Sequence, residues 1–496
     1  MFFGRKEQLE SLASLWGKRV SSLVTCRGRR RIGKSTLIKE FAKKTSARFI
    51  KIEGARPEDG LSNKDELRAF VDQLAAQTRC ERSLPENWLE AFIRLDREIK
   101  DGEKTVVLLD EISWMGYYDP MFANMVRIAW ENYWKSHDRL VLVLCGSVSS
   151  WIKEHFIDNA SYMGRRSLDL VVGELPLAEC VKFWGRAAER VATKEIIDVL
   201  SVTGGVPRYL EEVNPSLSAD ENIRRMCFLP NGILRTDFDE MFTDVITHQP
   251  AFTARVLDCL VDGPRSVSDI AKQIGEEKNG RMSSALVRLS ESGFVSEDAG
   301  KNPETGADVR ERKYRLKDNY ARFYLKYIAP VKNSIDAGMF RFSGVRQFSG
   351  WDAVMGLQFE NLVVNNAAEL LSPLHMERSL VLSAAPYFRR ASASSGNEGV
   401  QIDLLLQAKM SYCIVEVKRK ASIGRDVIDE VERKRRLLPH PRNVSVRTAL
   451  VYDGELAPSI EADGYFDAIV KFSDLFQTHC LEPCRTICGS CASATF

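Results

Sequence analysis

The chain has 496 residues, close to balanced charge at +2, and 28% charged residues. At roughly 100–200 residues per domain, this length calls for about three domains, each long enough to bury a core of its own. The balance argues against a protein that is basic throughout, so any nucleic-acid contact has to come from a local patch. No charged-then-apolar leader opens the chain and no apolar run nears 18 residues, which favours a soluble cytoplasmic protein without membrane contact.

From residue 1 to about 175, short β-branched runs alternate with helical patterns, the signature of βαβ units around a parallel sheet. Candidate strands are Ser22 to Cys26, Arg48 to Ile52, Thr105 to Asp110 and Leu140 to Cys145. Between the first strand and an amphipathic segment lies Gly28-Arg29-Arg30-Arg31-Ile32-Gly33-Lys34-Ser35, followed by Thr36. This is the G-x-x-x-x-G-K-[ST] phosphate loop, so the expected ligands are ATP and Mg²⁺. The glycines let backbone N–H groups wrap phosphate oxygens, Lys34 supplies charge to the β and γ phosphates, and Ser35 offers a hydroxyl to Mg²⁺. A second element strengthens the reading, for the apolar strand from Thr105 ends in Asp110 and Glu111. Asp110 is placed to hold the Mg²⁺ shell and Glu111 to orient the attacking water; the alternative is a solvated acidic turn.

The strand from Leu140 ends in Gly146-Ser147, where the hydroxyl serves either as a γ-phosphate sensor or as a helix cap. Arg165 and Arg166 offer paired guanidiniums, read as reaching a phosphate or a neighbouring subunit's site, which makes an oligomer possible. Residues 176–250 read as a helical lid, with Gly204-Gly205-Val206-Pro207-Arg208-Tyr209 as a turn that stops one helix and starts the next. Residues 251–330 read as a winged helix with helices over 252–260, 266–274 and 281–292 and a hairpin whose wing carries Arg310, Arg312, Lys313 and Arg315. Such a module either grips double-stranded DNA or serves as an intramolecular spacer.

Residues 331–475 carry a second chemical pattern. Two strands, 400–406 and 412–418, are joined at Lys409-Met410. Alternation along a strand places Glu416 and Lys418 on one face, with Asp403 on the adjoining strand. Glu360, on a helix read over 357–371, adds a further carboxylate. Asp403, Glu416 and Glu360 are then candidate metal ligands and Lys418 a base or charge stabiliser for attack on a phosphodiester, against the plainer reading of a polar hairpin face. Cys480, Cys484, Cys488 and Cys491 crowd the tail after 476 and read either as a metal clamp or as an incidental terminus.

Phe3-Gly4-Arg5-Lys6-Glu7, the phosphate loop, Asp110-Glu111, Gly146-Ser147, Arg165-Arg166 and Gly204 to Pro207 together resemble the prokaryotic, archaeal-type AAA+/STAND-like ATPases. Asp318 to Phe323, Phe359-Glu360, Ile402-Asp403 and Glu416-Val417-Lys418 resemble the restriction-endonuclease-like domain that ends such chains, although Ile402 stands where that superfamily usually has proline. The resemblance implies an α/β protein: a P-loop NTPase sheet with a helical lid, a winged helix and a C-terminal nuclease-like domain, in which nucleotide state controls action on DNA. The rival class is a nucleotide-gated binding or signalling switch with an inactive nuclease-like domain.

Overall fold

In the computed structural model, residues 2–147, 149–245, 249–298, 300–307, 312–391 and 398–477 are described; Arg310 and the cysteine-rich tail lie outside them. The first sheet contains β1 Ser22–Arg27, β2 Arg48–Glu53, β3 Thr105–Asp110, β4 Leu140–Gly146 and β5 Arg166–Val171. All neighbours are parallel, in the order β2-β3-β4-β1-β5, the arrangement of P-loop NTPases. The three central strands β1, β3 and β4 are buried nearly end to end, because helices cover both faces of a parallel sheet. Side-chain alternation then sorts their residues into two cores. Val24, Cys26, Val106 and Leu108 pack on one side, and Leu23, Val107, Leu109 and Leu142 on the other.

The fifth strand is absent from the sequence reading because it is polar. It lies at the sheet edge, and its Asp169 accepts from Thr25 Oγ1 at 2.7 Å and from Arg27 at 3.1 Å. The arginine pair read as reaching a phosphate or a neighbouring subunit's site stands at its entrance. Arg165 meets Glu131 at 2.5 Å and Ser161 O at 2.6 Å, and Arg166 donates to Ile157 O at 3.3 Å, so both guanidiniums are engaged within their own chain.

The lid consists of short helices from Leu177–Val181 to Ile233–Val245. Beyond it, helices Pro250–Asp258, Val267–Ile274 and Gly280–Glu291 pack with a small antiparallel sheet of β6 Arg265–Ser266, β7 Val295–Asp298 and β8 Lys313–Leu316, in the order β6-β8-β7. Ser266 and Asn279 cap the second and third helices, and the third buries Met282, Ala285, Leu286 and Leu289, the face its periodicity predicts.

The last sheet is mixed, ordered β13-β12-β11-β10-β9, with β9 Val381–Arg389, β10 Val400–Ala408, β11 Ser411–Ile423, β12 Ser445–Leu456 and β13 Ala468–Lys471. Its first three strands are antiparallel and its last three parallel, β11 belonging to both sets. Helix Trp351–Asn365 packs against β10 and β11. It starts before the expected 357 and breaks at Asn366, whose φ of −110° and ψ of 25° leave the helical region before Ala367–Leu370 resumes it.

The expectation of one core per domain does not hold. A single buried cluster runs from Leu12 and Val24 through the lid residues Leu200 and Ile223 and the central Leu286 to Phe359, Val415 and Phe472. Among the described residues, the second face of each large sheet keeps a separate core. Short lid helices have too little apolar surface to close cores of their own, so they are buried against both sheets.

Glu66, on helix Asn63–Gln77, is buried and accepts the Ala55 N–H at 3.0 and 3.2 Å. Burial raises its carboxyl from the ordinary 4.5 to about 7. The folded value lies above the unfolded one, so the contribution of this acid is intact below the unfolded value and is lost as pH rises through about 7. Glu66→Gln keeps an oxygen for Ala55 and carries no charge. Thermal melts should show it more stable than the wild type by about 2 kcal/mol at pH 8.5, after discounting for residual exposure, and equal to it near pH 4.

Candidate functional site: a phosphate loop and a buried carboxylate pair

The loop leaving β1 turns on glycines that nothing larger replaces. Gly28 has φ +151°, and a Cβ there would lie 2.3 Å from the Val172 carbonyl oxygen. Gly33, at φ +87°, precedes helix Lys34–Lys44, so the helix N-terminus and its free N–H groups face the loop's interior. Lys34 Nζ donates to Gly28 O at 3.0 Å and Arg29 O at 3.2 Å, which folds the ammonium across the cradle. Ser35 Oγ donates to Asp110 Oδ2 at 2.5 Å, and Lys51 Nζ approaches the same oxygen at 3.1 Å. Ser35 and Asp110 thus bring two hard oxygen donors together at the mouth of the loop, a set that fits Mg²⁺.

Glu111 follows β3 in the left-handed region, φ 47° and ψ 48°, which turns its side chain toward the end of β4. Its Oε2 accepts the Ser147 hydroxyl at 3.0 Å and the Ser147 N–H at 3.2 Å. The hydroxyl of Ser147 is therefore committed to Glu111 rather than to a helix end. A cleft of about 240 Å³ opens over Gly33, Lys34, Ser35, Thr36 and Glu111. Its far wall holds Phe2, Phe3, Phe183 and Pro207, an apolar patch of a size to take a flat base beside the phosphate cradle.

The three loop arginines diverge. Arg30 lines the cleft with its guanidinium 6.0 Å from the Trp114 ring centre. Arg31, backbone φ 70°, also reaches the cleft wall, but its guanidinium pairs with Asp237 at 2.8 Å and Glu240 at 3.2 Å in the lid. Arg29 is buried and turns away, pairing with Asp318 at 2.6 Å and lying over the Tyr209 ring at 5.4 Å. The Arg29 and Arg31 side chains therefore reach toward the lid, while their backbone forms the phosphate loop. They hold the lid against the loop, which the motif does not reveal because its four middle positions carry no fixed chemistry.

Two groups in the cleft escape the sequence reading. Arg208 follows Pro207 on the helix Pro207–Leu210, lines the cleft and is held by Glu212 at 2.6 Å. Buried Arg5 donates to Ile32 O at 3.1 Å and braces the loop from behind. The Gly204 to Pro207 turn was the available signal for Arg208.

At the C-terminal sheet the predicted face is formed. Asp403 on β10 accepts the Val417 N–H at 2.9 Å, and Glu416 and Lys418 on β11 meet at 2.8 Å. Two residues the sequence reading missed complete the cluster from helix Asp426–Leu437: Lys434 Nζ lies 2.6 Å from Glu416 Oε2 and 3.2 Å from Glu430, which also pairs with Lys418 at 2.8 Å. Burial raises Asp403 to about 6 and Glu416 to about 7. Burial acts upward on Glu430 too, but Lys418 and Lys434 outweigh it and bring its carboxyl down to about 2. Glu360 is close enough to raise Asp403, yet among the described residues no three His, Cys, Asp or Glu side chains gather to hold a metal ion. The expected Glu360, Asp403, Glu416 metal set is therefore not assembled. Both Glu416 oxygens face ammonium groups, an arrangement the periodicity of β11 alone has no means to reveal.

The described basic residues of the wing are engaged within the chain. Arg312 pairs with Glu297 at 2.7 Å, Arg315 with Asp298 at 3.1 Å, and Lys313 sits 3.2 Å from the Phe388 ring centre of β9. Buried thiols Cys26, Cys145, Cys259 and Cys413 are free, as their apolar surroundings predict. No helix among the described residues is long and apolar enough to cross a membrane.

Residues 2–213 match the model of an ATPase domain predominantly from Archaea. Over 433 residues, 86% of this chain and 89% of the relative, the sequence is 22% identical to an uncharacterized protein of Methanocaldococcus jannaschii. A stretch of 41 residues, 8% of this chain and 70% of the relative, is 49% identical to an uncharacterized ATP-binding protein of the same organism. Among solved structures, the Walker-type ATPase of Pyrococcus abyssi aligns at TM-score 0.48 and 16% identity over 65% of this chain and 96% of its own. The Aeropyrum pernix ORC2 protein, in ADPNP–ADP complexes, aligns at 0.42 and 14% over 68% and 94%. Residues 2–213, under half of the chain, therefore carry an ATPase domain of the type found predominantly in Archaea.

Proposed function

We propose that the chain binds ATP with Mg²⁺ in the cleft above the phosphate loop, hydrolyses it, and uses the nucleotide state to control a C-terminal nuclease-like domain that meets DNA. The observation that carries the hydrolytic part is the Glu111–Ser147 contact at 3.0 Å, one strand away from the Ser35–Asp110 contact. Glu111 is held over the cleft by its left-handed backbone, where it takes the proton of an attacking water, while Lys34 moves from the loop carbonyls onto the phosphates. Bound at Ser35 and Asp110, Mg²⁺ would neutralise charge on the phosphates. Arg208 and Arg30 stand where phosphate charge develops and supply fixed positive groups.

The three helices and small sheet of residues 250–316 fit a winged helix. Its wing residues serve as internal ties, which supports the spacer reading of this module over DNA gripping through Arg312, Lys313 and Arg315. The mixed sheet carrying Asp403, Glu416 and Lys418 supports a restriction-endonuclease-like fold for the last domain. One observation favours the second reading, a nucleotide-gated switch with an inactive nuclease-like domain. Lys434 takes up the Glu416 oxygen that a divalent cation would need, and the donor set does not fit a metal in this arrangement.

Lys34→Ala should weaken ATP binding by about 10- to 100-fold in calorimetry, the worth of a hydrogen bond to a charged group, with an unchanged circular dichroism spectrum. Unchanged affinity would remove the phosphate-loop assignment. Glu111→Gln should keep ATP affinity and lose turnover by a factor on the order of 10² or more in a phosphate-release assay. For the last domain, plasmid DNA incubated with Mg²⁺ or Mn²⁺, with and without ATP, separates the two readings: nicking by the wild type but not by Asp403→Ala selects the nuclease. Intact plasmid with both proteins selects the switch.

A further inference from the structure

Arg29 occupies a variable position of the phosphate loop, yet its side chain is only 9% exposed and lies against an Asp318 that is 1% exposed. Its backbone carbonyl accepts from Lys34 at 3.2 Å, while its guanidinium lies 2.6 Å from Asp318 Oδ2 and 3.3 Å from the Tyr209 hydroxyl. One residue therefore touches the phosphate-binding lysine at one end and the junction with the C-terminal domain at the other.

Asp318 carries the contact onward. Its Oδ1 caps helix Asn319–Phe323 by accepting the Ala321 N–H at 3.0 Å. The next residue, Asn319, donates to Gln358 O at 3.2 Å, Gln358 Nε2 returns a bond to Asn319 O at 2.7 Å, and Asn361 donates to Asn319 Oδ1 at 2.5 Å. Arg322 donates to Gln358 Oε1 at 2.8 Å. Gln358 and Asn361 flank Glu360 on helix Trp351–Asn365, the helix packed on β10 and β11 where Asp403 and Glu416 lie. All the polar side chains in this chain of contacts, Asp318, Asn319, Arg322, Gln358 and Asn361, are buried to within 1% exposure. Such a network has few arrangements in which every member is satisfied, so displacement of one end is passed on rather than absorbed.

The first link is also poised to change. Arg29 Nε and Nη1 have no hydrogen-bond partner among the described residues, and the Asp318 oxygen lies off the line of the guanidinium N–H bonds. A buried ion pair with unsatisfied donors is held by its surroundings more than by its own energy. When Lys34 leaves the Arg29 carbonyl for a phosphate, the backbone that carries Arg29 loses that restraint.

We propose that Arg29 and Asp318 couple the nucleotide site to the C-terminal carboxylate cluster, so that filling the phosphate loop changes the packing of helix Trp351–Asn365 and of β11 beneath it. Asp318 is in this sense a positioning residue for the loop, and by linkage any ligand of the last domain alters nucleotide affinity by the same factor. The coupling rests on the nucleotide-binding reading above.

The test is hydrogen exchange, followed by mass spectrometry, on the full chain with and without Mg²⁺ and a non-hydrolysable ATP analogue. In the wild type the analogue should slow exchange across residues 28–44 and change it at least about fivefold across 351–365 and 411–423, the lower range of measured couplings. Asp318→Asn keeps the helix cap and removes the charge; Asn361→Ala cuts the path further on and leaves the ion pair intact. Both should retain the change at 28–44 and lose that at 351–365 and 411–423. If Asp318→Asn fails to fold, Asn361→Ala carries the test. Protection at 28–44 with no distal change in the wild type, or a distal change undiminished in Asn361→Ala, overturns the coupling alone. No protection at 28–44 in the wild type overturns nucleotide binding and the coupling with it.

Discussion

Everything in this molecule is arranged around one packing constraint, the continuous apolar core that joins one face of the first sheet to one face of the last. Val24 and Val106 contribute to it from the nucleotide-binding sheet, Leu200 and Ile223 from the lid, and Phe359 and Val415 from the C-terminal domain. Packed interiors transmit displacement because they have few voids to take it up. A lid enclosed between two sheets in this way does not move as an independent flap. Its position is set jointly by the loop it covers and by the domain behind it.

Polar links run along the same junction and give it register. Arg31 ties the loop to Asp237 and Glu240, Arg419 of β11 reaches Asp198 of the lid and Asp453 of β12, and Glu369 accepts the Leu177 N–H at 3.1 Å. Hydrophobic contact is non-directional and holds the parts together, whereas these paired charges, costly to leave unpartnered, select one arrangement of them. The central module belongs to this scheme. Arg390 pairs with Asp269 at 2.6 Å and Lys153 with Glu291 at 3.1 Å, so it touches the last sheet at one end and the ATPase domain at the other.

The carboxylate cluster of the last domain shows the same economy of charge. Burial favours the neutral forms of Asp403 and Glu416, and Lys434 on helix Asp426–Leu437 and Lys418 on β11 oppose it. The outcome is a compact, internally compensated group of charges whose further use depends on how the helix carrying Lys434 and Glu430 is held.

The sequence by itself determined whatever depends on neighbours along the chain. Gly28, Gly33, Lys34 and Ser35 lie within one loop, Asp110 and Glu111 end one strand, the third helix of the central module shows its apolar face at helical spacing, and Glu416 and Lys418 share a face because strands alternate. The tertiary structure alone decided what depends on residues far apart in the chain. It revealed the polar edge strand Arg166–Val171, it paired Arg165, Arg312 and Arg315 with acids 15 to 34 positions away, and it gave Arg166 the Ile157 carbonyl. It also set Lys434 against Glu416 and sent Arg29 to Asp318. The physical reason is that a charged side chain carries no local signal of its partner. Periodicity reports which face is buried, but the identity of the group met there is fixed only when helices and sheets close on one another.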